Sequence, residues 1–390
     1  VAKPLRIKDF KPEMPGSFVS LASGDQAFLP NPLPPEWEFP TRLWPMISEA
    51  KRLIGILDGI GRVLPNPAIL LRPTEDREAI QSSALEGTYA TPRELLLFEL
   101  EPEQREDEPD TVNRFREVYN YRLAIQHAVA SQLPICQRLM RELHKILLEG
   151  VRGQHTDPGH FRRIQVAIGT NKRFIPPPPQ NLPKCLDELE VYINQESSFD
   201  PLIDCFLVHY QFETIHPFVD GNGRIGRLIL ALMIQRKCHL TKPWLYLSDY
   251  FEQHRDDYIQ GLYQVSTLGN WEKWIEFSLQ ATIEQARSTI VRCESLLAIR
   301  EQFRQRLNET GGHVRLHTII DQIFITPMIR VTDAQSILQV TYPTAKSDLE
   351  KLVKAGILQK LNDSPAITYY APEIFKVAYD DISSNNDKEI

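Results

Sequence analysis

Residues 216–227 read His216-Pro217-Phe218-Val219-Asp220-Gly221-Asn222-Gly223-Arg224-Ile225-Gly226-Arg227. Gly221-x-Gly223-x-x-Gly226 formally matches the dinucleotide-binding fingerprint, which needs a strand just before it. Here Leu202, Ile203, Phe206, Leu207 and Tyr210 precede it at helical spacing, so that reading fails on context. A Walker loop fails too, because no Lys-Ser/Thr follows the glycines. What remains is an anion site. Pro217 ends one helix, the glycines let the backbone turn, and the apolar helix from Leu228 to Ile234 follows at once. A helix N-terminus offers unpaired N–H groups and the positive end of a dipole to an anion.

Around that anion the side chains have distinct uses. Arg224 and Arg227 stand three apart on the first turn and face the same way. Asp220 is a single carboxylate beside the site, which suits Mg²⁺, an ion held by one or two carboxylates together with substrate phosphates. His216 precedes the loop and titrates near neutrality, as a general base must. The competing account is a helix-capping turn with surface arginines and a packed histidine. Cys205, His209, Cys238 and His239 could form a zinc site, but at no known spacing; buried thiols are the alternative.

These residues need elements to hold them. Apolar spacing is helical from about Arg42 to Leu100 and again over 111–151, on either side of an acidic loop from Glu99 to Asp110 that carries no assigned function. Gln165–Gly169, a polar turn and Arg173-Phe174-Ile175 before Pro176–Pro179 read as a small β-hairpin isolated between helices. A lone hairpin must lie over something, so it is a flap candidate. Helices return from Asn181 to about Arg306, and Gly311-Gly312 reads as a linker. Beyond it, three short helices and a two-stranded hairpin have the order of a winged helix-turn-helix over 313–375, leaving 376–390 as a tail. Residues 313–373 carry six basic and six acidic residues, which suits protein contact or weak DNA binding.

Composition bounds the rest. With 390 residues, 42% hydrophobic and 24% charged, the chain is globular and long enough for two or three domains. A net charge of −7 argues against a general nucleic-acid binder. Five scattered cysteines without a CxxC suit a reducing compartment, and no apolar run reaches the ~18 residues of a membrane span, so a cytoplasmic setting is expected. Eight of the 29 prolines fall within residues 1–40, so the segment 1–41 is an extended arm that packs on the rest or a loose tail. Its apolar residues would suit a dimer contact.

The stretch 216–227 resembles the signature of the Fic family, His-Pro-Phe-x-Asp/Glu-Gly-Asn-Gly-Arg-x-x-Arg, matching all nine fixed positions. Pro158-Gly159-x-Phe161-Arg162 with Gln165-Val166-x-Ile168-Gly169 is similar to the family's flap. Tyr258 and Gly269-x-Trp271-Glu272-x-Trp274-Ile275 resemble its pocket-closing helices. Ser82-Ser83-Ala84-Leu85-Glu86-Gly87 resembles its inhibitory Ser/Thr-x-x-x-Glu-Gly/Asn motif.

The resemblance implies a mainly α fold, with N-terminal helices over 42–110, a helical core with a β-hairpin flap over 111–310, and the winged-helix-like unit after it. It implies AMP transfer from ATP, with Mg²⁺, to a Ser, Thr or Tyr hydroxyl of another protein. His216 would be the base and Asp220 the metal ligand. Gly221, Asn222, Gly223, Arg224, Ile225, Gly226 and Arg227 would bind ATP, with Val166, Ala167, Ile168 and Gly169 walling it. The flap 165–175 would dock the target segment by strand addition. Tyr258 borders the adenine or is a plain core tyrosine. Glu86, with Ser82 and Gly87, would pair with Arg227 when ATP is absent and misplace its phosphates otherwise, or be a solvated helix-end charge. Two alternatives stand beside transfer: a hydrolase of the same fold removing AMP from modified protein, and a nucleotide-sensing DNA-binding regulator.

Overall fold

The computed structural model describes residues 9–64, 66–100, 110–151, 157–169, 174–309, 314–362 and 366–386. The Gly311-Gly312 linker, most of the acidic loop and the turn of the flap hairpin lie outside them. The chain is mainly helical with two small antiparallel sheets.

From residue 9 on, the proline-rich arm is neither loose nor merely extended. Strands β1 (Gly16–Ser20) and β2 (Gln26–Pro30) pair antiparallel, Gly16 opposite Pro30. The arm is tied down by its aromatics and backbone. Phe28 is fully buried against Phe174, and its N–H donates to the Ile175 carbonyl at 2.8 Å. Thus the arm covers the base of the flap.

Four helices follow: α1 (Trp44–Arg62), α2 (Ala68–Ala84), α3 (Pro92–Leu100) and α4 (Asp110–Ala130). The next group comprises α5 (Gln137–Leu147), α6 (Leu182–Asn194), α7 (Pro201–Ile215) and α8 (Asn222–Lys237). Last in this body come α9 (Ser248–Gln253), α10 (Arg255–Leu268) and the 39-residue α11 (Trp271–Glu309). Nearly every side chain of α7 and α8 is buried, so the two form the centre of the body, and a helix hydrophobic all round needs such a place. Gly226 lets them close: a Cβ there would lie 2.1 Å from Oε1 of Glu213 on α7.

The region from 314 onward holds α12 (Leu316–Ile325), β3 (Met328–Arg330), α13 (Val331–Leu338), α14 (Tyr342–Lys354), β4 (Gln359–Leu361), β5 (Thr368–Tyr370) and α15 (Pro372–Asn386). Its sheet has three strands in the order β3-β5-β4, one more than the sequence suggests. Residues 376–386 are not a tail. Ile374, Ala378 and Ile382 recur every four residues on α15, are buried with Tyr379, and pack this helix on α2 and α11. Among the described residues of the expected flap hairpin there is one bridge, in which Ile168 and Phe174 exchange N–H···O bonds of 2.8 and 3.1 Å. Among the described residues, no helix is long and apolar enough to cross a membrane.

Candidate active site

His216 is the left-handed residue (φ 50°) that closes α7, and its backbone N–H donates to the Phe212 carbonyl at 2.9 Å. The loop then runs to Gly221 (φ 76°), from which α8 starts. Asn222 braces this loop. Its Oδ1 accepts from the Phe218 N–H at 2.8 Å, and its Nδ2 donates to the Phe218 carbonyl at 2.9 Å. That side chain therefore spends its oxygen and one of its two Nδ2 hydrogens on the loop.

The tautomer and charge of the histidine are those that a base needs. A carbonyl can only accept, so the 3.3 Å contact between Nδ1 and the Glu213 carbonyl puts the proton on Nδ1 and leaves Nε2 with its lone pair. Burial pushes the His216 pKa down to about 4, against the opposing pull of that hydrogen bond. The ring is neutral at pH 7.

Glu86 reaches the site from the end of α2. α2 ends in a Schellman turn: Thr88 N–H donates to the Ser83 carbonyl, Gly87 N–H donates to the Ala84 carbonyl, and Gly87 takes φ +84°. The turn aims the Glu86 carboxylate at the start of α8. Its Oε1 accepts from Arg227 Nη2 at 2.8 Å and lies 2.1 Å from where a Cβ on Gly223 would be. Arg227 also donates to Ser82, through Nε to Oγ (2.8 Å) and Nη2 to the carbonyl (2.7 Å). Burial would raise the Glu86 pKa, but the charge and hydrogen bond of Arg227 outweigh it and hold the group below the ordinary carboxylate range. The carboxylate thus occupies the anion cradle at the α8 N-terminus. It is the expected Glu86–Arg227 pair, and Ser82 and Gly87 belong to it.

The other expected residues divide. Arg224 is buried and donates from Nη1 to Glu117 Oε2 on α4 at 2.9 Å, while its buried Nε has no hydrogen-bond partner among the described residues. Asp220 is exposed; Oδ1 accepts from the Gly221 N–H, and Oδ2 has no hydrogen-bond partner among the described residues. One outward carboxylate beside an anion cradle fits Mg²⁺ carried in with a polyphosphate, and among the described residues no three His, Cys, Asp or Glu side chains gather as a metal cluster. Ile225 is fully buried and Gly226 is the α7–α8 contact point, so both are packing positions. Tyr258 is the core tyrosine: it is buried, stacked on Phe251, and its hydroxyl donates to His209 Nε2 at 2.9 Å. His209 in turn gives its Nδ1 proton to the Gly226 carbonyl, and burial pushes its pKa down to about 3. Ala167 and Gly169 of the flap are exposed, with Val166 and Ile168 half-buried.

Sequence reasoning missed two organisers of the site. His144 on α5 is fully buried and stacks on Phe218 at 3.9 Å. Its Nδ1 accepts from the Gly159 N–H at 2.9 Å, so Nε2 carries the proton that goes to the Asp220 carbonyl at 3.0 Å. The signal was there: a histidine within the apolar series Met140, Leu143, Leu147. Arg162, quoted only as part of the flap, donates to the carbonyls of His216, Ile215, Pro177 and Ile164 and so pins the flap to the motif.

Residues 134–234 match the family model described as Fic/DOC family, and residues 44–130 match the Fic/DOC family N-terminal model. Over 134 residues the chain is 35% identical to protein adenylyltransferase Fic of Drosophila virilis and 34% identical to that of Drosophila melanogaster. Each match covers 32% of this chain and 26% of the relative, so the chain spans about a quarter of those relatives' length. A crystal structure of a Fic family protein from Desulfovibrio desulfuricans G20 superposes with a TM-score of 0.55 at 19% identity, covering 87% of this chain and 98% of that one. Fic-1 from C. elegans gives 0.50 at 20% identity, over 65% of this chain and 76% of that one. The fold is the mainly helical Fic fold.

Proposed function

We propose, for a chain carrying a Fic/DOC family domain behind the family's N-terminal region, that it transfers AMP from ATP to a hydroxyl of another protein and is restrained by Glu86. His216 Nε2 takes the proton of the incoming Ser, Thr or Tyr hydroxyl. The hydroxyl oxygen bonds to the α-phosphorus, the bond from that phosphorus to the bridging oxygen breaks, and pyrophosphate leaves. Backbone N–H groups at the α8 N-terminus and the guanidinium groups of Arg224 and Arg227 hold the phosphates. Asp220 would hold Mg²⁺, which when bound neutralises charge on the leaving group. The flap offers its edge to an extended target segment, held in place through Arg162.

The observation that carries this reading is the Glu86 carboxylate seated in the cradle on Arg227. A side-chain anion held there marks where a phosphate belongs, and it displaces ATP from an in-line pose. Misplacement by ~1 Å costs ~10²-fold, so the resting enzyme is slow.

Incubation with ATP labelled in its α-phosphate tests the proposal. Glu86→Gly should raise labelling of protein at least about tenfold over the parent, and adding His216→Ala should abolish it while ATP binding persists. Arg227→Ala should lower labelling even in the Glu86→Gly background. If Glu86→Gly leaves labelling flat and instead stops release of AMP from modified protein, the reverse reaction is the true one.

A further inference from the structure

The helix that ends in Glu86 is held from behind. α2 carries two polar stripes, each a ladder of residues four apart. Glu78 and Ser82 lead to Glu86 and face the site: Glu78 Oε1 accepts from Tyr121 and Ser248, and Ser82 and Glu86 accept from Arg227. Arg77 and Gln81 form the other stripe. The guanidinium of Arg77, 4% exposed, donates through Nη1 and Nη2 to both carboxylate oxygens of Asp381 on α15, at 2.5 and 2.8 Å. It also donates to Asp249 Oδ2 on α9 (2.5 Å) and to the Ala378 carbonyl on α15 (3.1 Å), while Gln81 Nε2 donates to Asp249 Oδ1. One residue earlier, Asp76 Oδ2 accepts from the hydroxyl of Tyr379, again on α15.

Adjacent helix residues are ~100° apart, so the two stripes turn together. Withdrawing Glu86 from Arg227 by rotating or sliding α2 must break the Arg77 contacts at the same time. The bidentate Arg77–Asp381 pair is the strong kind of charge-assisted contact, and it joins two segments about three hundred residues apart in sequence. Arg292 of α11 also donates to Asp381, so losing that carboxylate leaves two buried guanidinium groups facing each other.

We propose that Arg77 and Asp381 are positioning residues that fix the rotation of α2 and so seat Glu86 in the phosphate cradle. The C-terminal helix, absent from both family-model matches, then forms part of the restraint on the active site. This rests on the proposed AMP transfer and on Glu86 restraining it.

The test uses the full chain with Asp381→Asn, which removes charge at nearly constant size from a half-exposed site, and Asp381→Glu as the conservative variant. Labelling from α-phosphate-labelled ATP should rise about 3- to 30-fold in Asp381→Asn, the span expected of a coupling residue. It should stay near the parent rate in Asp381→Glu. In the Glu86→Gly background Asp381→Asn should add nothing, because the seat it releases is already empty. Hydrogen exchange over residues 78–88 should quicken in Asp381→Asn whatever the labelling does. Unchanged exchange there, or an equal rise in both backgrounds, overturns the proposal. Faster exchange with no rise on Glu86→Gly keeps the clamp and rejects the restraint by Glu86 instead.

Discussion

A base must be neutral when its substrate arrives, and His216 stays neutral to far lower pH than a free histidine. Burial sets its pKa at about 4, and its one ring donor is committed to a backbone carbonyl. Above about pH 4 the ring has its Nε2 lone pair, and below that the lone pair is lost to a proton. Labelling by the Glu86→Gly chain, followed against pH, should therefore keep its rate down to about pH 5 and fall only near pH 4. An acid limb centred near 6.5 would show a solvated ring and count against the geometry. Other residues resolve at the same scale into roles that residue type alone does not give. Asn222 sits in the signature, yet both ends of its amide are used on Phe218. His144 lies outside it, yet holds the Asp220 and Gly159 backbones together.

The turn that ends α2 is where an element decides what a residue does. Gly87 has φ +84° with open space around it, so its need is for backbone conformation and not for room. An alanine there costs about 1 kcal/mol of left-handed strain, and that strain falls on the two N–H···O bonds that aim Glu86. Gly87→Ala should lower the urea midpoint slightly and raise α-phosphate labelling above the parent; a stabilised chain or unchanged labelling would refute this account of the turn. Elements also show where sequence is legible. The α7–loop–α8 unit could be read because its chemistry and punctuation lie within twelve residues. The Glu86–Arg227 pair could be read through the resemblance of Ser82-x-x-x-Glu86-Gly87 to the family's motif. α2 as a central strut could not. Its interior face is polar, with Asp76, Arg77 and Glu78 buried and Arg72 half-buried among partners from α3, α4, α9 and α15, so the helical spacing over 42–100 announces a helix there but not a central one. β3 has three residues, too few to alternate, and α15 shows itself only through distant partners.

Across the whole molecule, burying so many titratable groups links folding to pH in two opposing senses. Burial raises Glu75 and Glu78 to about 7 and Glu213 to about 8, from 4.5. Burial also lowers His144 and His216 to about 4 and His209 to about 3, from 6.5. For a carboxyl raised on folding, the native state holds the extra proton, so stability falls as pH rises from the unfolded to the folded pKa. For a histidine lowered on folding, the unfolded state holds it, so stability falls as pH drops from 6.5 through 4. Between 4.5 and 6.5 the two sets oppose and stability is nearly flat. Above 6.5 the histidines are neutral in both states, and only the three carboxyls act. Stability should thus decline from about pH 6.5 to about pH 8, with a slope set by up to three protons. Glu213 is the last to ionise. Its Oε1 is buried against Gly226 with no hydrogen bond among the described residues, so it gives up its proton only when pH approaches 8. Urea midpoints measured from about pH 5.5 to about pH 8.5 should trace this decline. Glu213→Gln should remove the decline between about pH 7 and about pH 8 and cut the slope near pH 6.5 from three protons to two. Stability that climbs through pH 7–8, or a Glu213→Gln chain with the parent's full slope, would show that these carboxyls are charged inside the fold.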